Sequence, residues 1–166
     1  MHRFVTVAAG FAIAACADQP LTTAAGGRET ATPTLTTGEA PVVFNTQLRA
    51  ENEPNAASSS ESKGHAQVVV QPDGTVEFML FLNNKGNETF TRAHIHKAPE
   101  GSNGPIHWDL HEAPDAPFAD DHATLRGVAR PRAAANVADL VANPSQYYVN
   151  VHSVSVPGGV VRGQLP

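Results

Sequence analysis

Short runs of alternating apolar and polar residues fill the chain from about residue 40 to its end, separated by glycine, proline, asparagine and aspartate. Such runs are typical of β-strands that bury one face, and the turn residues join neighbouring strands. The clearest pair is residues 65–70 and 75–82, which a Pro-Asp-Gly sequence at 72–74 joins as a hairpin. The pattern predicts an all-β fold, an antiparallel Greek-key sandwich or barrel of about eight strands.

The predicted domain covers residues 41–166 and contains one helix. Strands are predicted over 41–48, 65–70, 75–82, 89–96, 105–110, 123–130, 146–153 and 159–165. A helix is predicted over 133–143, because apolar residues recur there at helical spacing and Pro144 follows at its end. This length is sufficient for one domain with a hydrophobic core.

The residues before this domain have a different composition. Residues 1–15 combine an early basic residue with an apolar stretch too short to span a bilayer, which is typical of a signal peptide. The sequence Ile-Ala-Ala-Cys at 13–16 resembles the lipobox of bacterial lipoproteins. We therefore expect Cys16 to be lipidated and to anchor an exported protein to a membrane of the bacterial cell envelope; the alternative is an ordinary signal peptide. Residues 16–40, rich in threonine, alanine, glycine and proline, are expected to be a flexible linker.

Charge and motif content argue against two functional classes. The net charge is −5 and no cluster of basic residues is present, which argues against a nucleic-acid partner. Ser153 follows His152 and many aspartates are present, but no nucleophile-elbow motif occurs and adjacent residues of a strand point to opposite faces. A hydrolase is therefore the weakest of the interpretations.

Four histidines are predicted to lie on strand faces that point away from the core. Side chains alternate across a strand, so Ile95 faces the core and both His94 and His96 face outward. The same alternation makes His152 face outward in the strand predicted over 146–153. It makes His107 and Asp109 face outward in the strand predicted over 105–110. Two histidines separated by one residue can reach a common metal, although solvated histidines give the same pattern. The acidic segment 111–122 could cover such a site or form a separate surface loop.

A set of motifs in a fixed order resembles the CHRD domain, a family named after chordin and widespread in secreted bacterial proteins. The motifs are NEP (52–54), AHIH (93–96), NGPI (103–106), YYVNVHS (147–153) and GGVVRGQL (158–165). The resemblance covers about residues 42–165 and implies an all-β extracellular module. It implies no particular activity, because a fold alone does not determine function.

A more distant similarity is to copper–zinc superoxide dismutases, which are Greek-key β-barrels. His94, His96 and His152 occur in the order of that family's copper ligands, and Arg162 occurs where an arginine guides the anion. The family's disulfide is impossible here, because Cys16 is the only cysteine. The bridging histidine has only His107 and His111 as candidates. The similarity therefore implies a metal site rather than a complete dismutase.

Two functions remain open at this point. The first is a non-enzymatic binding or structural module of the cell envelope, in which the histidines fix loops by hydrogen bonds. The second is a protein that binds copper, or with less support zinc, through His94, His96 and His152. Superoxide dismutation would be possible only if the copper were redox-active and kept an open position. The protein partner, if there is one, is unknown.

Overall fold

The computed structural model describes residues 39–54, 60–113 and 116–166, so Cys16 and most of the expected linker lie outside the described residues. The described chain contains nine strands, one short α-helix and two single-turn 3-10 helices, Ala50–Asn52 and Pro144–Gln146. The elements are β1 (Val42–Arg49), β2 (Lys63–Val70), β3 (Val76–Asn83), β4 (Phe90–Lys97), β5 (Ile106–Glu112), β6 (His122–Val128), β7 (Arg130–Pro131), α1 (Val137–Ala142), β8 (Tyr147–Ser153) and β9 (Val161–Gln164). None of the helices in this part of the chain has the length and apolar character needed to span a lipid bilayer.

All strands belong to one antiparallel sheet. Their order is β6-β3-β2-β1-β9-β8-β4-β5-β7, and β5 comes close to β6 across the remaining gap, so the sheet nearly closes into a barrel. The hairpin of β2 and β3 forms as predicted, with Gly74 at a φ of 86° in its turn. A positive φ of this kind is favourable for glycine, which explains the Pro-Asp-Gly sequence. The prediction of an all-β antiparallel fold is confirmed.

Most strands begin and end within about two residues of the predicted positions, and two elements differ more. The predicted strand 123–130 is divided between β6 and the two-residue β7, which pairs with β5 instead of β3. The predicted helix 133–143 is shorter, because α1 begins only after Asn136, whose side chain accepts a hydrogen bond from the Asp139 backbone N–H. Asparagine is a favourable residue at this capping position, and it sets the start of the helix more strongly than the apolar spacing does.

The core faces follow the predicted alternation. Ala93 and Ile95 of β4 pair with Val151 and Val149 of β8, and all four side chains are buried in the hydrophobic core. Trp108 of β5 pairs with Ile95 and is also buried there. The residues between these positions therefore point to the outer face of the sheet, where the histidines lie.

A β-bulge in β5 changes this alternation near its start. The register shifts between Ile95 and His96, so Ile106 pairs with His96 and shares its outer face. His107 instead packs its ring against the rings of Trp108 and Tyr147 and is buried. The prediction that His107 faces outward is wrong, because an inserted residue reverses the face of the residues that precede it.

Candidate metal centre

Three histidines from two neighbouring strands meet on the outer face of the sheet. His94 and His96 lie on β4 and His152 on β8. One ring nitrogen of each residue lies within 4.8 Å of the corresponding nitrogen of the other two, and His94 Nδ1 lies 3.0 Å from His152 Nε2. The pairing of β4 with β8 therefore brings His152 next to His94 and His96, although it lies far from them in the sequence.

The three side chains point away from the core and are nevertheless buried. His94 is 2% exposed, and His96 and His152 are each 8% exposed. Two loops cover them. The loop after β4 places the Gly104 carbonyl 3.0 Å from His96 Nδ1, and the loop after β8 places the Pro157 carbonyl 2.8 Å from His152 Nδ1. The histidines are therefore not solvated surface residues.

The hydrogen-bond partners determine which nitrogen of each ring carries the proton. Carbonyl oxygens only accept, so His96 and His152 each donate from Nδ1–H and keep a lone pair on Nε2. His94 Nε2 contacts the Glu112 carboxylate, which also accepts, so its lone pair is on Nδ1. Nδ1 of His94 and Nε2 of His152, which face each other, are therefore the nitrogens with lone pairs, and Nε2 of His96 is the nitrogen left to complete the group of three.

Burial keeps the three rings in the neutral form. It lowers the pKa of His96 and of His152 to about 4, and it also lowers the pKa of His94. Near neutral pH no additional proton is therefore available to join His94 Nδ1 with His152 Nε2. His96 Nε2 is buried and has no hydrogen-bond partner among the described residues. Three converging lone pairs without a proton form an arrangement that a metal cation would satisfy.

A carboxylate and several arginines surround the opposite nitrogen of His94. Glu112 contacts His94 Nε2 and forms ion pairs with Arg92 at 3.3 Å and Arg132 at 3.3 Å. Asp109 lies 3.8 Å from the same nitrogen but is paired with Arg130 at 3.0 Å and with Arg132. His94, Asp109 and Glu112 are close enough to form a second cation site. The arginines already neutralise the two carboxylates, which makes them better suited to orienting His94 than to holding a second ion.

Sequence reasoning did not single out Glu112. Its position beside His94 depends on a bulge in β5 at the register shift between Ala93 and His94, which pairs Asp109 with His94 and Glu112 with Arg92. Bulges of this kind leave no signal in the alternation pattern. The outward position of Asp109 was predicted, but its pairing with two arginines was not.

The other candidate histidines lie apart from the cluster. His107 packs against Trp108 and Tyr147, as described above. His111 pairs with the core residue Ala93 and packs against Phe118, on the opposite face of the sheet from His94. Of the acidic segment 111–122, residues 114 and 115 lie outside the described residues, and Phe118 packs against Phe90 of β4. Within the described part of this segment, Glu112 contacts His94, as described above, whereas His111 and Phe118 pack together away from the three histidines.

Arg162 is buried beside the cluster instead of lining a route to it. Its side chain is 1% exposed, stacks on the Tyr148 ring at 3.3 Å and donates hydrogen bonds to the carbonyls of Ser102 and Pro99. The same Tyr148 ring stacks on His96 at 4.9 Å. These contacts fix the loop that supplies Gly104 to His96. They do not require the anion-guiding role expected for Arg162, which stays a prediction.

Glu53 lies near Arg162 and provides a test of the charge balance in this region. Burial raises the pKa of Glu53 to about 7, although the nearby Arg162 lowers it in part. Its Oε1 atom is buried and lacks a hydrogen-bond partner within the described ranges. The ionised form is therefore disfavoured in the folded protein.

Replacing Glu53 with glutamine is expected to stabilise the protein at high pH. A carboxyl group whose pKa is raised on folding costs nothing below its ordinary value of 4.5, and its cost grows as the pH rises to about 7. The gain in the free energy of unfolding for Glu53→Gln should be on the order of 1–2 kcal/mol at about pH 8 and close to zero at about pH 4.5. Urea unfolding of both proteins at the two pH values measures it. An equal difference at both pH values would contradict the raised pKa.

The fold and this cluster define a class of protein: an antiparallel β-barrel domain with a loop-covered histidine cluster on its outer face. The CHRD domain family model matches residues 44–165, and the chain belongs to this family. No significant match is found to a curated protein or to a solved structure. The resemblance to the CHRD domain is thus confirmed.

Proposed function

We propose that this CHRD domain binds a metal ion, copper in preference to zinc, through Nδ1 of His94 and Nε2 of His96 and His152. The observation that carries the proposal is the convergence of three buried lone pairs whose protons are all committed elsewhere. Imidazole nitrogens bind both Cu²⁺ and Zn²⁺, and Cu²⁺ binds more tightly to a site of a given composition. The other nitrogen of each ring contacts a carbonyl oxygen or a carboxylate, which is how ligand histidines are usually oriented.

The alternative, a purely structural role, accounts for only half of this geometry. Hydrogen bonds from His96 and His152 to the Gly104 and Pro157 carbonyls would fix the two loops without a metal. They do not account for the close approach of His94 Nδ1 to His152 Nε2, or for the unpaired Nε2 of His96. Placing acceptors together without a donor costs free energy, which a structural cluster has no reason to retain.

Titration of the purified protein with Cu²⁺ and with Zn²⁺ tests the proposal. One ion per chain is expected to bind with a dissociation constant below about 1 μM, on the scale of specific three-imidazole sites. The double variant His94→Ala/His152→Ala should lose this binding. His122→Ala is the matched control, because His122 is exposed on β6 and makes no contact with the cluster. Equal affinity in the double variant, or no binding to the unmodified protein, would contradict the proposal.

Glu112 should tune the affinity without being a ligand. Glu112→Gln keeps the shape of the side chain but removes the charge that holds the proton on His94 Nε2. Loss of such a partner usually weakens metal binding about 10- to 100-fold. The same titration measures this change, and Glu61→Gln, a substitution of an exposed glutamate outside the site, should have no effect. An affinity unchanged in Glu112→Gln would show that the tautomer of His94 is fixed by another group.

We also propose that the protein is exported and acts in the bacterial cell envelope, on a lipid anchor attached to Cys16. The support is the lipobox-like sequence at 13–16 and the composition of residues 16–40. Labelling with a fatty acid in the native host tests it. Label is expected on the unmodified protein and should be absent from Cys16→Ser, while label on both or on neither would contradict the anchor.

A further inference from the structure

A cleft opens from the protein surface onto the histidine cluster. Its volume is about 350 Å³, and two of the three histidines, His94 and His152, form part of its wall. The other lining residues are Arg92, Ile106, Glu112, Arg132 and Pro157. The cluster is therefore buried by loops on one side and is reached through this cleft on another.

The cleft carries more positive than negative charge. Arg92 and Arg132 line it with side chains that are 46% and 44% exposed, so both remain in contact with solvent. Glu112 is the one acidic residue in the described lining, and its carboxylate is already bonded to both arginines and to His94. Asp109, which lies behind it, is paired with Arg130 and Arg132. An incoming ligand thus meets two guanidinium groups and no free carboxylate among the described lining residues.

The proposed ligand set is itself incomplete. Three neutral imidazoles leave a divalent ion with its full charge and with at least one coordination position unfilled, as in metal sites that bind an exchangeable ligand. The bulge in β5 turns the Ile106 side chain toward this face, and together with Pro157 it limits the space beside the cluster. A small ligand is therefore favoured over a bulky one.

We infer that the metal site is open and takes a small monovalent anion as its exchangeable ligand, drawn in through the cleft by Arg92 and Arg132. This inference rests on the proposed function, because the anion would bind the metal held by His94, His96 and His152. Positive charges that line a cleft raise the local concentration of anions, and the effect falls as the ionic strength rises. A neutral or cationic ligand would gain nothing from this arrangement.

Azide is a suitable probe, because its binding to Cu²⁺ changes the visible absorption and the electron paramagnetic resonance spectrum. The Cu²⁺-loaded protein is titrated with azide at low and at high ionic strength. Binding is expected at low ionic strength and should weaken about fivefold or more at about 0.5 M salt of a non-coordinating anion. The double variant Arg92→Gln/Arg132→Gln should bind azide about tenfold more weakly than the unmodified protein.

The controls separate this inference from the proposed function. Arg126→Gln, which removes an exposed arginine of β6 outside the cleft, should bind azide as the unmodified protein does. If Cu²⁺ binds but azide leaves the spectra unchanged, the open site is refuted and the metal site stands. If Cu²⁺ does not bind, both fail. Equal azide affinity in the double variant would refute the role of the arginines. Arg92→Gln alone, which breaks one ion pair, and the salt dependence of the unmodified protein decide the question if the double variant does not fold.

Discussion

Cu²⁺ or Zn²⁺ is expected to raise the thermal stability of the unmodified protein and to leave that of His94→Ala unchanged. An ion that binds only the folded state stabilises it by about 2.7 kcal/mol when its free concentration is 100 times the dissociation constant. For a domain of this size that corresponds to a rise of roughly 10 °C in the midpoint of thermal unfolding. Scanning calorimetry of each protein with and without metal measures the difference.

The comparison of the metal-free proteins is equally informative. Metal-free His94→Ala should lose only the stability that the buried ring and its contact with Glu112 provide, and metal should restore none of that loss. His122→Ala should gain as much from metal as the unmodified protein does. If His94→Ala lowers the unfolding midpoint equally with and without metal, the cluster has a structural role and the metal-binding proposal is wrong.

Replacing Arg162 with methionine is expected to destabilise the fold by on the order of 3 kcal/mol, because the carbonyls of Ser102 and Pro99 would lose their buried donor. The stacking of the guanidinium on Tyr148 would be lost as well. Methionine retains much of the aliphatic volume, so the effect reports the polar contacts more than a cavity. Urea unfolding at neutral pH measures the change.

Arg49 provides the matched control for Arg162. It pairs with Arg162 across β1 and β9, but its side chain is 58% exposed and contacts only Glu51 among the described charged groups. Arg49→Met should change the free energy of unfolding by less than about 0.5 kcal/mol. An Arg162→Met variant as stable as Arg49→Met would show that Arg162 does not hold the loop. Reduced metal affinity in Arg162→Met alone would show that the loop also positions His96.

The sequence predicted the fold well because the alternation of residues follows the packing of the barrel. Ile95, Val149 and Val151 lie in the core, where their period of two places them. The same period placed His94, His96 and His152 on the opposite face. Their proximity could not be predicted from alternation, because it depends on the pairing of β4 with β8. Three other strands and a helix separate these two strands in the chain.

The burial of the cluster and the identity of its partners could not be predicted from the sequence for a different reason. Alternation distinguishes the two faces of a strand, but it does not show that loops cover one of them, as the segments around Gly104 and Pro157 do. The loop that covers His96 requires glycine at position 104, because a Cβ atom there would clash with the Lys97 carbonyl. The bulges of β5 place Glu112 beside His94 and turn His107 away from the outer face. They shift the register, and the alternation of apolar and polar residues does not reveal them.

A crystal structure of the Cu²⁺-loaded protein, with an anomalous difference map at the copper edge, tests the central claim most directly. We predict a single peak per chain, about 2 Å from Nδ1 of His94 and from Nε2 of His96 and of His152. Glu112 should remain on the opposite nitrogen of His94. The claim would be contradicted if the copper peak lay beside other residues, or if no peak lay between the three nitrogens.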